Sequence, residues 1–183
     1  LADRDRELVE AIQQKLFAGI RRERLGDFKV GSVDSIFDEL MRSARELAVD
    51  ETKPIAGRVQ AVSTLGLADF SDSTLQGIFQ RLLEPDQPRP IQLVTCETLA
   101  RFDQPRVADL LLDAWPRMTP GMRRRSVETL LSRADWIARF LDAVKAGSIS
   151  RNDVNPARMR LVTAHVDEAM RSRIQLLFPP SRR

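Results

Sequence analysis

The feature that most constrains the fold is a proline that recurs at the start of apolar segments with helical spacing. Pro54, Pro90, Pro120 and Pro156 lie 36, 30 and 36 residues apart. Proline suits the first position of a helix, because the N–H of that residue would have no partner within the helix. Each proline is followed by one apolar stripe, a turn and a second stripe. The pattern therefore predicts a series of helical pairs.

The pair from Pro90 to Trp115 shows this unit most plainly. The segment Asp103-Gln104-Pro105 separates its two helices. Proline and aspartate favour turns, because proline fixes φ and aspartate hydrogen-bonds its own backbone. The two stripes are Leu93, Val94, Cys96, Leu99 and Ala100, then Val107, Ala108, Leu110, Leu111, Leu112 and Trp115.

The N-terminal part of the chain predicts one further hairpin over residues 1–49. Its first helix covers residues 3–25, and its second begins at an N-cap, Ser32, and ends near Val49. The residues expected to face inward from this second helix are Ile36, Phe37, Leu40, Met41, Ala44 and Leu47. The chain begins at Leu1 without methionine, so we expect it to be a piece of a longer protein.

Residues 50–178 are predicted to form degenerate repeats of the same pair. The expected N-caps are Ser71 or Asp72, Thr119 and Asn155, and Ser150–Asp153 resembles a capping box with aspartate in place of glutamate. The expected stripes are Ile55, Val59, Val62 and Leu65; Leu75, Ile78, Phe79, Leu82 and Leu83; Met122, Val127, Leu130, Leu131 and Ala134; Trp136, Ile137, Phe140, Leu141 and Val144; Met159, Leu161 and Val162; and Met170, Ile174 and Leu177.

Recurring residues at matching places favour an α-solenoid of antiparallel helical hairpins. The matches are Thr64-Leu65, Thr98-Leu99 and Thr129-Leu130 in the first helices, and Asp69, Asp103 and Asp135 in the predicted turns. Tetratricopeptide repeats have a similar length, but their Trp, Tyr and Phe landmarks are missing, so HEAT-like or armadillo-like repeats fit better. We therefore predict one all-α domain over residues 1–183 with about ten helices. A plain helical bundle remains the alternative, since proline opens helices in many folds.

Composition excludes several classes of protein and leaves a packed helical one. The chain is 43% hydrophobic and carries 29 basic and 26 acidic residues, which is typical of a globular domain with salt-bridged surfaces. No apolar run reaches the roughly 20 residues that span a bilayer, so we expect no membrane insertion. A single cysteine cannot form an intramolecular disulfide.

Three candidates for chemistry are better explained by structure or solvent. His165 is the only histidine, so no multi-histidine metal site can form, and we expect it to hydrogen-bond a turn or a helix end. Cys96 follows apolar neighbours and is expected to be a buried, inert thiol. Asp109 and Asp113 lie one helical turn apart, a spacing that suits paired carboxylates, but Arg106 and Arg117 are expected to pair with them at the surface. We predict no catalytic, cofactor-binding or metal-binding residue.

The densest basic run suggests a surface for an anionic partner, made of Arg117, Arg123, Arg124 and Arg125. A run of arginines on a helix is usually a solvated face. The anionic partner would be either an acidic protein surface or a phosphate backbone, and HEAT-like DNA glycosylases show that a helical solenoid can hold nucleic acid on a basic surface. Such an enzyme would pair an aromatic side chain with a carboxylate, and only Trp115 and Asp113 lie suitably close in sequence; Trp115 is better explained as core.

The C-terminal stretch carries a resemblance to a known family. The residues that carry it are Arg139–Gly147, then Ile149, Asp153, Pro156-Ala157-Arg158 and Ala164-His165-Val166-Asp167. Over residues 139–178 the pattern resembles the HEAT-like segment of large multidomain proteins from planctomycetes and relatives. In those proteins a sugar-dehydrogenase-like propeller precedes this segment, and a c-type cytochrome domain with a CxxCH haem motif follows it.

The resemblance implies a non-catalytic scaffold within a haem-binding electron-transfer protein of the periplasm or cell envelope. Its partners would be other domains of the parent chain or a partner protein. Haem c would belong to the parent, since this chain has no CxxCH motif. Nucleic acid is the less favoured partner because the net charge is only +3.

Overall fold

Paired α-helices make up the part of the chain that the structure, a computed structural model, describes: residues 30–179. Within these residues there are nine α-helices, two 3-10 turns and no strand, as the all-α prediction requires. The helices are α1 (Val30–Val49), α2 (Ile55–Leu65), α3 (Ser73–Leu82), α4 (Arg89–Leu99), α5 (Arg106–Ala114), α6 (Pro120–Leu130), α7 (Ala134–Lys145), α8 (Pro156–Thr163) and α9 (Glu168–Leu177). The 3-10 turns are Trp115–Arg117 and Arg151–Asp153. The helix predicted over residues 3–25 lies outside the described residues.

The described residues from Met41 onward belong to one compact unit. In the unit that begins at Met41, most helices pack on the helix two places along the chain. One series is α2 on α4 and α4 on α6, and the other is α3 on α5, α5 on α7 and α7 on α9. In the last two pairs the consecutive helices also pack together, α6 with α7 and α8 with α9.

Most predicted helix starts are confirmed by side-chain caps. The carboxylate of Asp72 accepts a hydrogen bond from Thr74 N at 2.8 Å, which decides between the two residues expected there. The side chains of Thr119, Asn155 and Asp167 likewise accept from backbone N–H groups in the first turns of α6, α8 and α9. Each cap satisfies a donor that the helix itself leaves unpaired.

Other predicted starts are wrong by one to three residues. Ser32 lies inside α1 rather than capping it, since Gly31 costs little near a helix end. Pro54 and Pro88 occupy N-cap positions with extended backbone, so Pro90 is the second residue of its helix. Ser150 caps only the 3-10 turn, because the Asp153 carboxylate turns to Arg123 instead of closing a capping box.

The predicted stripes form one continuous core. Leu65, Leu99, Leu130 and Leu141 are fully buried, and so is the Trp136 ring. Phe70, Phe79 and Phe102 cluster, with the Phe70 and Phe102 ring centroids 4.7 Å apart. α7 ends at Lys145, and the predicted stop Gly147 follows its C-cap, where a φ of 79° lets Ser148 N donate back to Ala143 O at 3.0 Å.

A few expected core or turn residues lie elsewhere. Ile36 and Ile55 are 47% and 45% exposed. Leu161 is 59% exposed. Ala134 and Asp135 belong to the first turn of α7, because Arg133 is already in the extended N-cap conformation.

Candidate functional site

The four arginines of the predicted cationic surface lie on the turn before α6 and on α6 itself. Arg117 ends the 3-10 turn, and its guanidinium holds both carboxylate oxygens of Glu84, at 3.1 Å from Nε and 3.0 Å from Nη2. Glu84 follows α3, so this pair links two consecutive hairpins. The two-bond geometry fits a guanidinium to a carboxylate and fixes the Arg117 side chain against the protein.

Arg123 and Arg125 are also paired. Arg125 Nη2 lies 2.8 Å from Glu97 Oε1, and Arg123 Nη1 lies 3.3 Å from Asp153 Oδ2. Arg124 is exposed and is the one member of the four without an ion pair among the residues that the structure describes. The positive charge of this surface is therefore largely offset by carboxylates of neighbouring hairpins.

The same arrangement recurs along the chain. In five ion pairs of the described residues an acidic residue of one hairpin is bound by an arginine of the next, 28 to 33 residues later: Glu84–Arg117, Glu97–Arg125, Asp109–Arg139, Glu128–Arg158 and Asp142–Arg173. We call these the inter-hairpin ion pairs. Most of their side chains are about half exposed, so each contributes roughly 0–1 kcal/mol. Their regular separation matters more than their individual strength, since it repeats with the hairpins.

Asp109 and Asp113 do not form a paired-carboxylate site. Asp109 binds Arg139 at 2.5 Å and Arg106 at 3.7 Å, which confirms the surface pairing expected of Arg106. The expected pairing of Arg117 with these aspartates is wrong, because Arg117 reaches Glu84 instead. Asp113 is exposed and borders a small polar pocket of about 230 Å³ beside α3.

Cys96 is fully buried on α4, as predicted. Its Sγ lies 3.7 Å from Ser126 Oγ on α6. Burial raises the pKa of the thiol to about 11, because the thiolate would lose its hydration. The thiol is therefore protonated at neutral pH and packs as a small apolar group.

His165 lies in the turn between α8 and α9, as expected, and its backbone N–H donates to Val162 O at 2.9 Å. Its ring was expected to hydrogen-bond the turn, and this is wrong: the exposed imidazole has no hydrogen bond to any residue in the described part of the chain. Because it is exposed, water can satisfy both ring nitrogens.

Trp115 is 2% exposed, so the core interpretation of this residue is confirmed. The guanidinium of Arg123 lies 5.6 Å from the centroid of its ring. A buried indole covered by an arginine offers no open face on which a base could stack.

Sequence reasoning missed a buried arginine, Arg58, which is 2% exposed on α2. Its Nε donates to Ala48 O at 3.0 Å, and its Nη2 donates to Gln87 Oε1 at 2.6 Å. Gln87 in turn donates to Glu51 Oε1 at 2.8 Å. The network satisfies a carbonyl at the end of α1 and joins two linkers, so a buried charge is stabilised by polar contacts.

The contact of Arg58 has counterparts in the next two hairpins. Gln92 and Arg123 also lie four residues after the N-cap of their helices, and donate to Glu84 O and Pro116 O. All three tie the first helix of a pair to the end of the preceding helix, whose last carbonyls lack intrahelical partners. In the sequence, Arg58, Gln92 and Arg123 are long polar residues spaced 34 and 31 residues apart. Their equivalent positions can be recognised only once the N-caps of the three helices are known.

A groove of about 510 Å³ lies where the last two hairpins meet. We call it the α6–α9 groove. Its lining is mostly apolar and consists of Leu131, Ser132, Ala134, Ile137, Arg158, Leu161, Val162, His165, Val166, Asp167 and Met170.

Comparison with protein-family models, with curated proteins and with solved structures found no significant match. Within the described residues, no three His, Cys, Asp or Glu side chains are grouped so that they could hold a metal ion. No helix in that same part of the chain is long and apolar enough to cross a membrane. The class that the structure defines is an all-α protein of paired helices.

Proposed function

We propose that this chain is a non-catalytic scaffold, a HEAT-like α-solenoid that holds other domains of a longer protein or a partner protein. The observation that carries the proposal is the recurrence of the inter-hairpin ion pairs at separations of 28 to 33 residues. A repeat protein needs contacts that recur with its period, because each repeat touches only its neighbours.

The packing of the helices supports the same proposal. Each helix from α4 to α7 packs on the helix two places before or after it, and no substantial packing joins α2 or α3 to α8 or α9 within the described residues. A closed bundle brings the first and last helices together around one core. Sequential packing instead favours a stack that extends with every added pair.

The nature of the parent protein rests on the resemblance of residues 139–178. We propose that it is a haem-binding, dehydrogenase-like electron-transfer protein of the cell envelope, in which this segment spaces the domains. A CxxCH motif encoded beyond residue 183, and a covalently bound haem in the expressed parent, are the expected findings. A parent without such a motif would contradict this part of the proposal.

Deletion of one complete hairpin from the longer protein tests the scaffold function. Removal of residues 119–148 should shift the flanking domains and weaken inter-domain transfer or partner binding, while each flanking domain keeps its own activity. A matched control removes only one inter-hairpin ion pair, by Glu97→Gln, which should leave the contacts intact. Unchanged transfer and unchanged partner binding after the deletion would contradict the proposal.

Nucleic-acid binding has less support, because three of its four proposed arginines are engaged by Glu84, Glu97 and Asp153. It predicts retardation of duplex DNA that weakens steeply with salt, since bound phosphates release counterions. Binding at low salt that Arg124→Glu abolishes would favour this hypothesis over the scaffold.

A further inference from the structure

We draw no further inference here: the strongest candidate, the α6–α9 groove where the last two hairpins meet, is a mostly apolar surface, and nothing in the structure shows what covers it.

Discussion

The central pair, α4 and α5, and the last pair, α8 and α9, differ sharply in how much they bury. Seven residues of α4 and five of α5 are buried, whereas α8 buries only Met159 and α9 only Ile174 and Leu177. The central pair packs on helices before and after it, while the last pair has packed helices on one side only within the described residues. The number of buried residues in a helix therefore depends on whether other helices pack on both of its sides or on one.

This difference implies a gradient of stability along the chain. In a repeat protein the stability of a unit is the sum of its own folding free energy and that of its interfaces. A pair with one interface should open locally at a lower free energy than a pair with two. The last pair, where this lower stability is expected, also borders the open α6–α9 groove.

The largest expected effect is on the free energy of unfolding, and it compares a buried leucine of the central pair with an exposed leucine of the last pair. Leu99→Ala should destabilise the chain by about 2–5 kcal/mol, because it leaves a cavity in a fully buried position, and Leu141→Ala should cost as much. Leu161→Ala should cost under about 0.5 kcal/mol. Urea unfolding followed by circular dichroism measures all three, and equal losses at Leu99 and Leu161 would refute the comparison.

A smaller effect is expected at the contacts that tie one pair to the next. Arg58→Met should cost about 1–3 kcal/mol, because the Ala48 carbonyl and the Gln87 side chain would lose their donor while buried. Gln92→Met removes the equivalent contact in the next pair, a single hydrogen bond to Glu84 O, and should destabilise the chain less than Arg58→Met does. Guanidinium unfolding distinguishes them, and an Arg58 variant as stable as the parent would show that the network is dispensable.

Loss of a helix cap should cost about 1 kcal/mol and should depend on pH. Asp72→Ala removes the acceptor for Thr74 N, whereas Asp72→Asn keeps it. The bond from Thr74 N, with the charge of Arg45, lowers the pKa of Asp72 in the folded protein. Because the pKa of Asp72 is lower in the folded than in the unfolded chain, its carboxylate stabilises the protein at pH values above the unfolded pKa near 3.8. This stabilisation is lost as the pH falls through the folded pKa.

Thermal unfolding between pH 7 and pH 2 checks this prediction. The advantage of the parent chain over Asp72→Ala should be full at pH 7 and should shrink below about pH 4. An advantage that stays constant down to pH 2 would mean that the carboxylate is not the stabilising group.

The smallest effect concerns the inter-hairpin ion pairs. A double-mutant cycle on Asp109 and Arg139 should give a coupling of about 0.2–1 kcal/mol, which weakens as salt rises. The same cycle on Asp142 and Arg173 should give a smaller coupling, because α9 is held on one side only within the described residues. Coupling that is larger at the terminal pair would reverse the proposed gradient.

Helix positions, caps and core stripes were predictable from the sequence because they depend on local spacing and on side chains that hydrogen-bond their own backbone. Thr119 and Asn155 follow from capping chemistry alone, whereas that chemistry left Ser71 and Asp72 as alternatives. The burial of Cys96 and Trp115 follows from apolar periodicity.

Contacts between pairs were not predictable, because they depend on the register in which the hairpins stack. Arg117 was expected to pair within its own hairpin and instead reaches Glu84 in the preceding one. Because Arg58 is charged, a position at the solvated surface is expected for it from the sequence. Only the packing of α2 against the linkers makes it buried. The α6–α9 groove likewise depends on which turns face each other.

Native-state hydrogen exchange tests the gradient most directly. We expect the amides of α4 and α6 to exchange slowest, with protection that falls through α7 to the fastest exchange in α8 and α9. Opening of the last pair should occur without loss of protection in α4. Protection in α8 and α9 equal to that in α4 would contradict the account, because it would mean that the helices unfold as one bundle rather than as stacked pairs.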